Sequence, residues 1–347
     1  MPLNVFDWVP MRWPESWGTP QYRKFPHGPI NCLVVDDPSP DLIAAYEADG
    51  VAVTSLKDAG VALVQGCKWP QVRTGGSDGA DAGPTGVPWI DANGYLVQLA
   101  RALHPDQPVW LDYGPAPKQG ALTADMHRLA ICDAAAYGGH WIIRPDSGLL
   151  PVMAKTAAFF VDHKVWQAYR PIAKLAVVAD FAGPSRALEV EVLNLLPRRR
   201  VPYAVIPGAR VEATDLSAFA AVLWIGRQPK KYGGISITPQ SDDPFQTAVE
   251  THMRMGRRND LLRLWNDGSM NAFYTASPDG REHLVQLINY SAASPSDAVT
   301  LGLARSYKSA TLYTLDDEPK EITIRPVRAG IEIQLPPFPV YAAISLR

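Results

Sequence analysis

The chain has 347 residues, of which 47% are hydrophobic and 20% are charged, and its formal net charge at pH 7 is −2. That length predicts two or three domains, and the charge excludes the strongly basic surface typical of nucleic-acid-binding proteins. We therefore expect no nucleic acid as a partner. No apolar run approaches the ~20 residues of a membrane span, so we expect no membrane as a partner either.

Cysteine usage and short motifs narrow the chemistry further. Cys32, Cys67 and Cys132 lie far apart without CxxC spacing, which argues against disulfides and zinc and fits a reducing compartment. No GxGxxG, Walker A, HExxH or EF-hand motif is present, so no cofactor or metal is expected. The N-terminus lacks a basic segment followed by an apolar one, which favours a cytoplasmic protein. A signal peptide already removed would allow a periplasmic or secreted one.

Strands alternate with helices over the first 170 residues. Strands are predicted at 4–8, 30–36, 51–56 and 61–66, with a helix at 41–50. The helix 94–103 and strand 108–114 form a unit that repeats as helix 123–139 and strand 140–146, and a helix follows at 151–170. Thr123 is the expected N-cap of its helix, and Gly138 the glycine that ends it. This alternation predicts parallel strands with right-handed crossovers.

The pattern changes twice along the rest of the chain. Residues 172–260 predict a doubly wound, flavodoxin-like α/β unit. From about residue 265, short strand candidates separated by turn signals indicate an antiparallel β-sandwich. The basic run 198–200 stands between a helix and a strand, and we expect it to be a solvated helix end.

Several segments together resemble family 42 β-galactosidases and related glycoside hydrolases. They are VWLDYGP, AICDAAAYGGHWIIRPD, KLAVVAD and the tail HLVQLINYS…GIEIQLPPFPVYAAISL. The resemblance implies an α/β multidomain protein with a (β/α)-barrel-type region over 1–170, a glutamine-amidotransferase-like trimerisation domain over 171–262 and a β-sandwich over 263–347. The barrel would be partial or trimmed, because a complete one needs at least ~200 residues. A homo-oligomer that acts on an oligo- or polysaccharide is also implied.

The catalytic residues of that family do not carry over. Its members use two glutamates on barrel strands, whereas residues 1–150 contain only Glu15, in a loop, and Glu47, on a helix. Aspartates are the alternative, and Asp112 and Asp146 follow apolar runs at predicted strand ends, where ligand groups gather in parallel folds. We predict these two as the carboxylate pair, although for Asp146 a ligand contact is an alternative and a turn or helix-cap role is the stronger one. For Asp36 and Asp37, helix capping is the favoured interpretation.

Other residues near these strand ends offer aromatic faces, hydrogen-bonding groups and a cation for a sugar. The predicted substrate-binding residues are Trp89, Asp91, Asn93, Trp110, Tyr113, His140, Trp141 and Arg144. Packing of the aromatic residues, helix capping by Asp91 or Asn93 and a structural His140 remain open alternatives.

The leading hypothesis is a glycoside hydrolase-like, carbohydrate-active protein that acts on O-glycosidic bonds. The alternative is a non-catalytic carbohydrate-binding or assembly protein that has lost the catalytic glutamates. A fragment of a longer protein is a third possibility. The sequence leaves open whether the chain is an enzyme, which sugar and linkage it recognises, and the anomeric outcome.

Overall fold

A computed structural model describes residues 4–14, 17, 28–72, 89–113, 122–145, 148–291, 296 and 298–347. The described residues fall into two compact units, one from Met1–Gln71 and Asp91–Gln167 and the other from Val72–Ile90 and Ala168–Arg347. No helix in the described ranges is long and apolar enough to cross a membrane.

The described residues before residue 168 form short strands and longer α-helices, which alternate strictly only from residue 90 onward. The strands are β1 (Pro10–Arg12), β2 (Cys32–Val34), β3 (Ala52–Thr54), β4 (Ala62–Cys67), β5 (Gln71–Val72), β6 (Ile90–Asp91), β7 (Val109–Tyr113) and β8 (Gly139–Trp141). The helices are α1 (Pro40–Glu47), α2 (Gly94–Leu103), α3 (Ala124–Ala135) and α4 (Leu150–Asp162). The predicted cap of α3 is confirmed, because the Thr123 side chain accepts a hydrogen bond from the Met126 backbone N–H.

Two parallel three-stranded sheets of the first unit join into one layer. Their orders are β1-β2-β3 and β4-β7-β8, and Met11 of β1 pairs in parallel with Ile143, just beyond β8. The Arg12 N–H donates to the Ile143 carbonyl over 2.8 Å, and the Ile143 N–H donates to the Pro10 carbonyl over 3.0 Å. The resulting order is β3-β2-β1-β8-β7-β4.

One apolar cluster lies on the inner face of this layer. It contains Cys32, Val34, Ala59, Trp110 and Ile142, with Ala52 and Leu63 packed against it. The end strands β3 and β4 both contribute, so the layer curves around the cluster.

Beyond residue 168, the second unit contains β9 (Arg170–Pro171) and a parallel sheet of order β11-β10-β12-β13. Its strands are β10 (Leu175–Ala179), β11 (Tyr203–Pro207), β12 (Ala221–Trp224) and β13 (Ile235–Ile237), and its helices are α5 (Arg186–Arg198) and α6 (Pro244–Met255). The central strands β10 and β12 are buried throughout, as expected when helices accompany a parallel sheet, while the edge strands β11 and β13 are partly buried.

The remainder of the second unit is antiparallel. Its strands are β14 (Leu262–Trp265), β15 (Met270–Ala276), β16 (His283–Asn289), β17 (Val299–Leu303), β18 (Ala310–Thr314), β19 (Lys320–Glu321), β20 (Arg325–Val327), β21 (Gly330–Leu335) and β22 (Tyr341–Leu346). They form a four-stranded sheet, β14-β17-β21-β20, and a six-stranded sheet, β19-β18-β22-β16-β15-β9. Both sheets contribute buried residues such as Leu301 and Leu287 to one core.

Three sequence predictions about local structure were wrong. The predicted strand at 4–8 is a 3₁₀ turn, Val5–Asp7, because the Asn4 side chain accepts from the Phe6 N–H and closes the chain locally. The helix predicted to residue 170 ends at Asp162, where the His163 ring contacts the Phe159 carbonyl at 2.7 Å and a 3₁₀ segment, Lys164–Ala168, follows.

The third error concerns the basic run 198–200, which is not a solvated helix end. Arg198 is buried, with its guanidinium carbon 4.3 Å from the centroid of the Trp89 ring. Arg200 forms an ion pair with Asp267. The long alkyl stems and planar heads of arginine allow such burial when an aromatic face or a carboxylate receives the charge.

Candidate functional site

Four charged residues stand at the carboxyl-terminal ends of the inner strands. Asp36, Asp112 and Arg144 each come two residues after an inward-facing residue of the core cluster, namely Val34, Trp110 and Ile142. Because side chains alternate along extended chain, these three residues are directed to the same face, at the mouth of the curved layer. Arg12, the last residue of β1, joins them there through its contacts.

An ion-pair network connects the four. Arg12 Nη2 donates to Asp112 Oδ2 over 2.9 Å, and Arg12 Nη1 lies 3.2 Å from both Asp36 carboxylate oxygens. Arg144 Nη2 donates to Asp112 Oδ1 over 3.1 Å and to the Tyr113 carbonyl over 2.8 Å. We call these four residues the mouth cluster. Two guanidinium groups stabilise the negative charge of Asp112, while one also holds Asp36.

The backbone beneath Asp112 is fixed as well. Cys67 donates its thiol proton to the Asp112 carbonyl, with the sulfur 2.9 Å from the oxygen. Burial raises the pKa of Cys67 to about 12, so the thiol stays protonated and acts as a donor rather than as a nucleophile. The carboxylate of Asp112 is therefore held on a rigid strand end.

The shared guanidinium sets an upper limit on the separation of the two carboxylates. Arg12 contacts both, so their nearest oxygens lie no more than roughly 8 Å apart, which does not exceed the upper end of the range of about 5–9.5 Å between the carboxyl groups of glycosidases. Their environments differ: the Asp112 side chain is 20% exposed and that of Asp36 is 68% exposed. The arrangement thus offers one held carboxylate and one that is open to solvent.

Asp36 and Arg12 were not among the predicted site residues. Capping was the favoured role for Asp36, but the N-cap of α1 is Ser39, whose hydroxyl accepts from the Leu42 N–H over 3.2 Å. The signal in the sequence was present, since Asp36 ends an apolar run in the same way as Asp112. Arg12 gave no comparable signal because β1 was not predicted.

Trp110 and His140 lie on the inner face, below the mouth. Trp110 is fully buried in the core cluster, and its ring centroid is 6.1 Å from that of Trp8. Burial lowers the pKa of His140 to about 4, while the Asp7 carboxylate pulls that pKa upward. Trp110 therefore presents no open face on which a sugar ring could stack, whereas His140 is half-buried.

Tyr113 and Trp141 alternate to the other face of the layer. Both are buried, with ring centroids 4.3 Å apart in a stacked pair, and Trp69 and the α3 residue His127 complete the aromatic group. Burial raises the pKa of Tyr113 to about 12. The aromatic residues of this region therefore act mainly in packing, with Tyr113 also beneath the Arg144 guanidinium, 5.1 Å from the ring centroid.

Asp91 and Asn93 belong to a buried polar network. Asn93 Nδ2 donates to Asp133 Oδ2 and to the Lys68 carbonyl, while Asn93 Oδ1 accepts from the Lys68 N–H, all between 2.8 and 3.0 Å. The Asp91 carboxylate pairs with Lys68 Nζ at 3.5 Å. Asn93 precedes α2 but makes no side-chain capping bond, so its amide is engaged in joining segments rather than free for a sugar.

Two predicted residues, Asp146 and Trp89, are not assigned to the mouth cluster. Asp146 lies outside the described residues. Trp89 belongs to the second unit, where it receives the guanidinium of Arg198. For metals, the described part of the chain holds no group of three or more His, Cys, Asp or Glu side chains able to bind an ion.

Structural comparison relates the fold to glycoside hydrolases. An α-L-fucosidase isoenzyme 2 from Paenibacillus thiaminolyticus matches with a TM-score of 0.53 at 10% identity, over 88% of this chain and 70% of the fucosidase. An exo-carrageenase of family GH42 from Bacteroides ovatus gives 0.46 at 10% identity, over 91% of this chain and 52% of the carrageenase. A cold-adapted β-galactosidase from Rahnella sp. R3 gives 0.43 at 12% identity, over 73% and 57% of the two chains.

Sequence comparison adds no family. No protein-family model matches the chain, and none of the curated proteins compared with it is significantly similar. At 10% identity the fucosidase likeness concerns the fold alone. The chain therefore has a mixed α/β, glycoside hydrolase-like fold, and family 42 is not singled out.

Proposed function

We propose that the chain is a glycoside hydrolase-like protein that acts on the O-glycosidic bonds of an oligo- or polysaccharide at the mouth cluster. The single observation that carries this proposal is that Arg12 contacts two strand-end carboxylates, Asp36 and Asp112, which keeps their nearest oxygens no more than roughly 8 Å apart, a limit compatible with a glycosidase pair. The curved layer of six parallel strands is, in this proposal, a trimmed (β/α) barrel. The later domains would be a flavodoxin-like, glutamine-amidotransferase-like unit and a β-sandwich, within a homo-oligomer.

Roles follow from the environments of the two carboxylates. The carboxylate of Asp112, between two guanidinium groups, would stabilise positive charge that develops on the sugar. Asp36 has the exposure needed to exchange a proton with water or with a leaving group. Asp146 remains a candidate for the second carboxyl group, as the sequence predicted.

A panel of aryl glycosides tests the proposal. Hydrolysis by the wild-type protein should be lost in Asp112→Asn and strongly reduced in either Asp36→Asn or Asp146→Asn. Asp125→Asn, on the exposed side of α3, is the control and should retain activity. Glycan binding without hydrolysis of any panel member would favour the non-catalytic alternative, and absence of both would overturn the proposal.

A further inference from the structure

The outer face of the four-stranded sheet carries an unusual set of side chains. In β14, Leu262 and Leu264 contribute to the core, so the alternating residues Arg263 and Trp265 lie on the opposite face. Arg263 pairs across the sheet with Gly302 of β17, which in turn pairs with Glu332 of β21. This face therefore continues over at least three strands.

Trp265 lies on this face as an exposed platform. A Cβ atom at Gly302 would come within 2.8 Å of Trp265 Cζ3, so the absence of a side chain there lets the indole settle on the sheet. The indole covers Gly302 with one side of the ring, and 44% of Trp265 remains exposed. One side of a rigid aromatic ring is thus available to a ligand.

Positive charge surrounds the platform. Trp265 lines an open cleft of about 590 Å³ together with four arginines, Arg257, Arg258, Arg263 and Arg328, but only one aspartate and one glutamate. The two acids are already paired, Asp260 with Arg263 at 2.9 Å and Glu332 with Arg325 at 3.8 Å.

Three arginines of the cleft consequently keep their charge available. Arg257, Arg258 and Arg328 are exposed, and none of them forms an ion pair with another described residue. Guanidinium groups bind carboxylate and sulfate-type oxyanions through paired, charge-assisted hydrogen bonds. The cleft therefore combines an apolar stacking surface with sites for anionic groups.

We propose that this cleft, here called the Trp265 cleft, binds an acidic polysaccharide. A sugar ring would stack on Trp265, and its carboxylate or sulfate groups would meet Arg257, Arg258 and Arg328. An uncharged glycan would use the platform alone, and a peptide would not need a flat ring face beside three cations. The inference concerns the second unit and does not depend on hydrolysis at the mouth cluster.

Affinity electrophoresis and titration calorimetry of the full chain test the Trp265 cleft with three probes: dextran sulfate, polygalacturonate and uncharged dextran. Binding to either or both acidic polymers, but not to dextran, is expected, and comparison of the two identifies the anionic group. Trp265→Ala should weaken binding at least about tenfold without any change in charge, while Trp265→Phe should retain most of it. The double variant Arg258→Glu/Arg328→Glu should abolish binding, and its circular dichroism reports whether it has folded.

The control is Arg281→Glu, because this arginine is 88% exposed and lies outside the cleft. It should bind as the wild type does. Equal affinity of Trp265→Ala and the wild type would overturn the inference, as would no binding to either acidic polymer. A change in oligomeric state of Trp265→Ala, without loss of polymer binding, would identify the face as a contact between copies instead. Aryl-glycoside hydrolysis should be unchanged in Trp265→Ala, which separates this result from a failure at the mouth cluster.

Discussion

Arg12 holds Asp112 through a 2.9 Å hydrogen bond, although 100 residues of chain separate them. The same guanidinium reaches Asp36, so one side chain connects the ends of β1, β2 and β7. At 23% side-chain exposure, Arg12 is shielded enough for these contacts to matter more than those of a typical surface ion pair.

Replacement of Arg12 by methionine tests this connection. Arg12→Met keeps most of the apolar stem but leaves two carboxylates facing each other, so we expect the free energy of unfolding to fall by about 1–3 kcal/mol. Urea unfolding at pH 7 measures the change. Arg281→Met removes an arginine that is 88% exposed and should alter stability by less than about 0.5 kcal/mol. A loss no larger than that of the control would mean that the network contributes nothing to the fold.

Trp110 provides a test of whether the inner aromatic residues are core or ligand surface. It is fully buried among Cys32, Val34 and Ile142, so Trp110→Ala should destabilise the protein by about 3–5 kcal/mol. Trp265→Ala, at a half-exposed position, should cost at most about 1 kcal/mol. Thermal unfolding of the two variants measures the contrast, and similar melting temperatures would contradict the assignment of Trp110 to the core.

The buried amide of Asn93 gives a third prediction. Asn93→Leu removes two hydrogen bonds to the Lys68 backbone and one to the Asp133 carboxylate, so unfolding should become easier by about 2–4 kcal/mol. Gln240→Ala loses a single exposed bond to the Thr238 carbonyl and serves as the control. If Asn93 instead contacts a sugar, Asn93→Leu should weaken glycan binding while leaving the urea midpoint near that of the control.

His140 predicts a pH dependence of stability. Its pKa in the folded chain is about 4, below the ordinary value near 6.5, so the unfolded chain takes up a proton first as the pH falls. The contribution of His140 to the free energy of unfolding is fully present above pH 6.5. It falls by on the order of 2–3 kcal/mol as the pH decreases from 6.5 to 4. His140→Gln should remove that part of the difference between urea midpoints at pH 7 and pH 4.5.

The matched control for His140 is His104→Gln, which changes an exposed histidine. It should keep the full wild-type difference between the two pH values. A wild-type difference that also persists in His140→Gln would show that other groups cause the acid sensitivity.

Local patterns predicted the regular elements well. The helix expected at 94–103 is observed as Gly94–Leu103, and the run GIEIQL is the strand Gly330–Leu335. In both cases the apolar spacing lies within the element and the turn residues directly adjoin it. The information that defines the element is therefore local in the sequence. The 3₁₀ turn at Val5–Asp7 was missed because one short side chain, Asn4, decides it.

The candidate site was only partly predictable because it depends on contacts between distant segments. The sequence placed Asp112 and Arg144 at strand ends, and the structure brings these two together at 3.1 Å. The sequence could not show that Arg12 lies between Asp36 and Asp112, because that position depends on the parallel pairing of β1 with the segment after β8. Nor could residue type alone separate buried Trp141 from exposed Trp265.

The rate of aryl-glycoside hydrolysis by Asp112→Asn, relative to wild type, tests the central claim most directly. The substitution preserves the shape of the side chain but removes the charge that Arg12 and Arg144 hold at the mouth. We predict at least about a hundredfold loss in kcat/KM in a protein whose circular dichroism shows that it is folded at the assay temperature, while Asp125→Asn retains the wild-type rate. Wild-type hydrolysis that survives undiminished in a folded Asp112→Asn protein would contradict the assignment of the active site to this mouth.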